Sequence, residues 1–532
     1  MATSALLLLV AGSATVAGVA RRTGLSAPLL LVAAGLAASY LPGVPDYTLD
    51  PELVLPLLLP PLLYTSALDS SYRGLRANVR SVALLSFGYV LFSTFAVGLI
   101  AHAVIPGLPI PAAFVLGAVV APPDAVAATA IARKVGLPSK LVTILQGESL
   151  ANDATAITAY RVALAAAVGE GFSWGSALGE FALAALGGVA VGLVLMVPLQ
   201  WARTRIRDPL LLNTFSLLVP FAAYAAAEAF HASGVVAVVV VGLYLGHHAH
   251  TVDFALRLQE DAVWTMVAFV LESAVFALIG LQLPVVLRAL GGYPAGELLL
   301  WAALLLGAVI VVRFAWCWPA TYLPGLLSAR VREREGRPHW TRPLVIAWAG
   351  MRGVVSLAVA FSIPHTADGG AAFPDRDLIL YLTFVVVIGT LLVQGLTLPA
   401  LVRALPLPAP DRQREVLVEA QAQNDASAAA QARLDELLAD PRNRLPEPLE
   451  ERLRRALDRR RNAVWERLGA AVHEDTGESA DAVYRRLGKE AVAAERAVFV
   501  RLRDADRIDD DLLRGLMRRL DFEEALVDHG EE

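Results

Sequence analysis

Two short stretches of this sequence set acids among apolar residues. The first reads FVLGAVVAPPDAVAATAIA over residues 114–132, with Asp124 directly behind Pro122-Pro123. The prolines remove two amide donors, and Pro122, which precedes a proline, is pushed away from helical dihedrals. A helix is expected to break here and free carbonyl oxygens beside Asp124. The second reads LVTILQGESLANDATAITAYR over residues 141–161. On a helix Ser149 and Asp153 lie four apart and share a face, and Glu148 and Asn152 form the same pair rotated by one position. Packing gives no reason for two carboxylates, an amide and a hydroxyl in so short a piece of apolar helix. A hard monovalent cation wants oxygen ligands. Asp124, Asp153 and Ser149, with Asn152 alongside and the carbonyls freed near Pro123, make up such a set.

Blander readings account for less. A kinked packing helix explains the prolines but not the carboxylate beside them. A polar helix end near Lys140 would suit Glu148, yet Asp153 lies about 13 residues into the apolar run, some 20 Å deep at 1.5 Å per residue.

Other polar groups interrupt apolar sequence. Arg313 sits in VIVVRFAWCW and stays charged, so it needs a buried anion; Glu148 is the natural candidate, in a pair that holds helices in register. Arg352 lies between Gly350 and Gly353 in WAGMRGVVSLAVA, where a second broken helix is plausible. Glu228, His231 and Glu272 are further embedded groups, His231 reading as a hydrogen-bonded packing residue. Arg161 is expected to snorkel to an interface, and the His-rich run at 247–250 reads as a solvated loop.

The elements that must position these groups follow from composition. Of 532 residues 56% are hydrophobic and 18% charged, where soluble domains run near a quarter charged. The charge is concentrated at the end, with 51 of the last 122 residues charged against 44 of the first 410. One soluble globule is excluded, as is a nucleic-acid binder built on a basic face. Cys317 is the single cysteine, so disulfide scaffolds and Cys-based metal sites are excluded too. Runs long enough to cross a bilayer fall near 4–20, 26–41, 51–68, 80–105, 110–132, 140–168, 176–201, 208–231, 234–248, 260–287, 296–324, 343–364 and 377–404. The first lacks a basic leader and is followed at once by Arg21-Arg22, so it reads as a span and not as a signal peptide. Arg or Lys follows every odd-numbered run, from the single Arg257 after the ninth to Arg73/Arg76/Arg80, Arg203/Arg205/Arg207 and the five from Arg330 to Arg342. The even-numbered loops hold only Arg288 and Arg376, both at span edges, and carry Asp46, Asp50, Glu170, Asp368 and Asp375. The positive-inside rule then puts the N-terminus outside and the C-terminus in the cytoplasm. The fold class is all-α: a polytopic membrane domain over 1–405 with about 13 transmembrane helices and two broken ones, and a cytosolic helical domain over 411–532. The broken runs, fifth and twelfth, lie seven apart, as in inverted-repeat transporters whose site is where the breaks cross. The tail pattern predicts amphipathic helices near 413–440, 446–471, 478–504 and 507–527, either a solubilising appendage or a regulatory domain.

At these residues the sequence resembles monovalent cation/proton antiporters of the first cation–proton antiporter family, in its bacterial sodium/hydrogen exchanger branch. PPLLYTSAL at 60–68, APPDAVAATAI at 121–131, GESLANDATA at 147–156, AEAFHASGVVAVVVVGL at 227–243, ESAVFALIGLQLP at 272–284, GMRGVVSLAVA at 350–360 and GTLLVQGLTLP at 389–399 carry the likeness in order. The resemblance implies a cation site at Asp153 and Asp124 with Ser149, and a structural ion pair between Glu148 and Arg313. Where many members have a threonine hydroxyl before the aspartate, this chain has Pro123. The resemblance also implies a homodimer in the cell membrane that exchanges one cation for one proton, with no cofactor. It implies electroneutral exchange, since the electrogenic branch has two adjacent aspartates where this chain has Asn152-Asp153.

The expected mechanism needs few parts. Asp153 holds either a proton or a cation, because neutralising the carboxylate removes the attraction. Competition for one carboxyl group couples the fluxes of H+ and Na+ or Li+, with pH homeostasis as the physiological role. A K+/H+ or broader cation antiporter is the main alternative, since oxygen ligands do not reveal ion size. A channel suits a single neutralisable carboxylate less well. An intramembrane hydrolase using Ser149 and His231 is remote, because no nucleophile elbow surrounds the serine; the chain reads as no enzyme.

Overall fold

A computed structural model describes residues 2–23, 26–41, 51–124, 137–168, 174–335, 339–367, 371–406, 412–469, 480–505 and 507–528. Among the described residues each apolar run contains helix. In chain order these are α1 (Ala2–Thr23), α2 (Ala27–Ser39), α3 (Pro51–Leu68), α4 (Val79–Val104), α5 (Ile110–Val120), α6 (Ser139–Val168) and α7 (Trp174–Arg205). Then follow α8 (Pro209–Ala229), α9 (Gly234–His247), α10 (Phe254–Ala289), α11 (Ala295–Leu327), α12 (Thr341–Trp348), α13 (Val354–Phe361) and α14 (Arg376–Ala404). Among the described residues the one β-bridge joins Thr366 to Ala372. The chain divides into two compact units, residues 1–408 and 409–532.

Local chemistry sets the helix starts. Asp208 accepts hydrogen bonds from Leu210 N (2.8 Å) and Leu211 N (3.0 Å), with Pro209 in the first turn. Ser233 caps α9 through Val236 N, and Asp253 caps α10 through Ala255 N. Each cap satisfies amides that would otherwise be orphaned at a helix end. Among the described residues six stretches, in α4, α7, α8, α10, α11 and α14, are long and apolar enough to cross a bilayer by themselves. Helix α7 shows why water is the wrong solvent: only 11% of its apolar window is buried in the protein, with Leu186 and Val194 more than two-thirds exposed. Elsewhere helices approach closely. A Cβ at Gly35 of α2 would meet the backbone of α10 at Ala277 and Gly280, so only glycine lets these two helices touch.

Two helices are interrupted. Helix α5 ends at Val120 and residues 121–124 are irregular; the second half of that run, with Arg133 and Lys134, lies outside the described residues, as do Asp46, Asp50, Glu170 and Asp368. Residues 349–353 separate α12 from α13. Two π-helical turns, Leu84–Tyr89 in α4 and Leu391–Gly395 in α14, were not expected from sequence. Arg161 is partly exposed and pairs with Glu228 at 2.8 Å. Two expectations need correction. Helix α8 stops at Ala229, and His231 follows in a left-handed turn (φ 54°) with its side chain exposed, so it is no packing histidine. Arg203 is not a solvated loop cation. Helix α7 runs on through it, and it is buried against Glu260 of α10 while its Nη1 donates to Leu245 O at 2.9 Å.

The second unit holds α15 (Arg412–Leu438), α16 (Glu447–Gly469), α17 (Ala480–Asp504) and α18 (Asp510–Asp528). Helices α15 and α16 are joined by Arg454–Asp435 at 2.7 Å, and α17 and α18 by Arg496 with Asp521 and Glu524 at 2.9 and 2.7 Å.

Candidate functional site

The two interruptions meet. Asp124 N donates to Met351 O at 2.6 Å, tying the end of the first break to the middle of the second. The approach is so close that a Cβ on Gly353 would fall on the Asp124 carboxylate. Gly353 is extended (φ −139°), so the requirement here is space and not an unusual backbone.

Arg352 fixes the crossing. It is fully buried, and its Nε donates to Val120 O at 2.9 Å while Nη2 reaches Ala121 O at 3.4 Å. These are carbonyls at the C-terminal end of α5, where a cation complements the helix dipole. Its Nη1 donates to Gly350 O, its Nη2 to the Tyr89 hydroxyl at 2.5 Å, and its own amide to Thr390 Oγ1 at 3.1 Å. No carboxylate bonds to it among the described residues. The sequence had placed free carbonyls beside Asp124. They are instead largely taken: two by Arg352, and Pro123 O by the Asn152 side-chain amide at 2.7 Å. What remains for a cation is mostly side-chain oxygen.

Helix α6 brings the other groups to this place. Asn152 is fully buried; with its Nδ2 on Pro123, its Oδ1 is left with no hydrogen-bond partner. A buried acceptor without a donor is costly unless something fills it, and a dehydrated cation would. Asp153 is 6% exposed and feels the negative charge of Asp124. Among the described residues its carboxylate makes no hydrogen bond or ion pair. Ser149 lies one turn back on the same face, half-buried. Glu272 of α10 also feels the charge of Asp124, with that of Arg21 opposing it.

Glu148, on the adjoining face of α6, is in a different state. Arg313 of α11 grips it with both terminal nitrogens, Nη1 to Oε1 and Nη2 to Oε2 at 2.9 Å. Nη2 also donates to Ile346 O at 3.1 Å, and the guanidinium lies 4.7 Å over the Tyr89 ring. Ser86 Oγ donates to Glu148 O at 3.0 Å. The pair therefore joins α4, α6, α11 and α12. Sequence reasoning missed Tyr89, which touches both buried arginines; an aromatic in SFGYVLF carries no signal, and the π-turn that aims it is not coded by any obvious residue.

A second buried network was also missed. Glu260 accepts from Arg203 and from Ser216 Oγ (2.6 Å), and Trp264 Nε1 donates to Ser216 Oγ at 2.9 Å. It ties α7, α8, α9 and α10 together.

Comparison with known proteins shows the family and the fold. A family profile described as "Sodium/hydrogen exchanger, transmembrane" matches residues 6–404. The chain is 35% identical over 506 residues to an uncharacterised Na+/H+ exchanger of Mycobacterium bovis, covering 93% of this chain and 91% of that one. It is 31% identical over 388 residues to a sodium, potassium, lithium and rubidium/H+ antiporter of Bacillus pumilus, covering 70% of this chain and 57% of the relative. In fold it is similar to a sodium proton antiporter of Methanocaldococcus jannaschii, with a TM-score of 0.61 at 20% identity over 76% of this chain and 98% of that one.

Proposed function

The chain belongs to the transmembrane sodium/hydrogen exchanger family, and on that premise we propose that it exchanges Na+ for H+ across the membrane. The seat for both is Asp153, with Asp124, Ser149 and Asn152 Oδ1 as the oxygens around it. One observation carries this: Asn152 of α6 bonds to Pro123 O at the crossing, which sets its neighbour Asp153 where it feels the charge of Asp124, with no cation bonded to Asp153 among the described residues. Two anions in low dielectric repel strongly. A proton or a sodium ion relieves the repulsion, and each does so only where the other is absent. That exclusion couples the fluxes, and rocking of the crossed helices alternates the side to which the site opens.

Asn152 next to Asp153 leaves a single acid at this point of α6, which favours exchange of one Na+ for one H+ without net charge. Arg352 balances the crossing electrostatically, and Glu148–Arg313 holds the register of the helices around it. A broader cation range, including Li+ and K+, is the second reading, favoured by the name of the Bacillus relative. The N-terminus lies outside and the C-terminus in the cytoplasm in this reading, and the assembly is a homodimer in the cell membrane. Transport needs no cofactor and no covalent chemistry.

The test is dequenching of a pH dye in proteoliposomes on adding Na+, Li+ or K+. Wild type is expected to respond, with half-maximal Na+ concentration rising as pH falls, because protons occupy the seat. Na+-driven proton flux that persists in Asp153→Asn would end the reading.

A further inference from the structure

Gln394 of α14 is fully buried, yet neither its Oε1 nor its Nε2 has a hydrogen-bond partner in the protein among the described residues. A carboxamide offers two donors and two acceptor positions. Leaving a buried polar group unbonded costs about 1–3 kcal/mol, and an apolar side chain of the same shape would not carry that cost.

The backbone around it is unusual as well. Gln394 falls in the π-helical turn Leu391–Gly395, and π-turns are rare and collect at functional places. This turn lies against the second break. Just before it, Thr390 Oγ1 accepts from Arg352 N at 3.1 Å; just after it, Thr397 Oγ1 accepts from Trp348 Nε1 at 2.9 Å. A Cβ on Gly395 would stand 3.0 Å from Met351 Sδ. Residues 390–397 therefore grip residues 348–352, and Gln394 stands in the middle of that grip with its carboxamide unbonded.

The first break shows the bonded counterpart. There Asn152, on the helix that follows the break, donates its side-chain amide to Pro123 O at 2.7 Å. Each broken run is thus followed by a helix with a buried carboxamide, engaged at the first break and unengaged at the second. Where two halves of inverted topology alternate access by moving against each other, the arrangement that one half adopts in one state is the arrangement its counterpart adopts in the other.

We infer that Gln394 is a positioning residue for the exchange cycle: its carboxamide bonds peptide groups of the second break, residues 349–353, in the access state opposite to the one seen here. The polar penalty then falls on one state only. That difference brings the two states closer in free energy, as a cycle that must visit both requires. The inference rests on the exchange reading given above, but it concerns the swing between states and not the seat at Asp153.

The test is Gln394→Met in the full-length protein, an unbranched apolar side chain of similar length. Three quantities are read: the melting midpoint in detergent, and the maximal Na+-driven proton flux and half-maximal Na+ concentration in proteoliposomes. The midpoint is expected to equal or exceed that of wild type, because an unbonded buried carboxamide has been removed. Maximal flux is expected to fall about tenfold, the effect of one lost hydrogen bond on a rate. The half-maximal Na+ concentration is expected to stay near wild type, since Asp153 and Asp124 are untouched. Gln394→Asn keeps a carboxamide one methylene shorter and is expected to retain more flux than Gln394→Met. Maximal flux at the wild-type level in Gln394→Met would overturn the inference. So would a lowered midpoint in both Gln394→Met and Gln394→Leu, which marks an ordinary structural role; the leucine variant guards against one poorly packed replacement. Exchange that persists in Asp153→Asn removes the reading of the seat instead, whatever the Gln394 variants do.

Discussion

Glu148 and Asp153 stand five residues apart on α6, both acids, both buried, and they have opposite surroundings. Glu148 is gripped at both oxygens by Arg313 and braced by the Tyr89 ring. Asp153 faces another carboxylate, Asp124. On the proposed reading, the difference separates their roles. A buried carboxylate that already has its cation cannot accept a second one without losing the first, so Glu148 serves the framework. A buried carboxylate that has only a like charge for company is incomplete until a proton or metal ion arrives. Arg313 and Arg352 repeat the contrast: Arg313 has an acid, whereas Arg352 has carbonyls and a phenol.

The strongest way to break this contrast is to exchange the acids for amides. Asp153→Asn and Asp124→Asn are each expected to reduce Na+-driven proton flux to background while leaving the melting midpoint near wild type. Glu148→Gln is expected to do the reverse. It strands Arg313 in a dry site at a cost of about 3–5 kcal/mol, seen as lost yield and an earlier melt. The double variant Glu148→Gln/Arg313→Met is expected to recover much of that stability. If Glu148→Gln melts like wild type and transports nothing, the assignment of roles is reversed.

The next effect is smaller and purely steric. Gly353→Ala places a methyl group against the Asp124 carboxylate. Crowding of this kind costs about 1–3 kcal/mol, and the expected result is a rise of about tenfold in the half-maximal Na+ concentration with the fold retained. Arg203→Met probes the distant network. It leaves Glu260 buried without its cation and is expected to lower the melting midpoint, with the half-maximal Na+ concentration unchanged. At the bottom of the scale, Arg496→Ala in the second unit removes two solvent-exposed pairs with Asp521 and Glu524. Exposed pairs contribute little, and no change in melt or transport is expected.

Much of the site was legible because charge in apolar sequence is expensive and therefore conspicuous. Asp124 behind Pro122-Pro123, Asp153 deep in its helix, and Arg313 requiring an anion could all be read from residue type and depth. The amphipathic tail was equally plain, its four helices falling within a few residues of the expected bounds. Arg203 was misread for the same reason that the others were found. It stands near a run of arginines at the end of an apolar segment, and sequence cannot distinguish a solvated loop cation from the last buried turn of a long helix. Glu260 likewise reads as a helix-start acid until Arg203 and Ser216 are seen to converge on it.

Residue order alone determined that the chain is helical, that α5 ends ahead of Asp124, and which acids lie deep in apolar sequence. These are local matters: a proline lacks its donor, and a charge meets its apolar neighbours, wherever the rest of the chain lies. Only the tertiary structure decided which oxygens remain free. Arg352 reaches across from the other break to take the carbonyls of Val120 and Ala121, and Asn152 takes that of Pro123. Those contacts join residues that are far apart in the chain, and hydrogen-bond satisfaction in a dry interior is settled by what folding brings within 3 Å, which no spacing along one helix encodes.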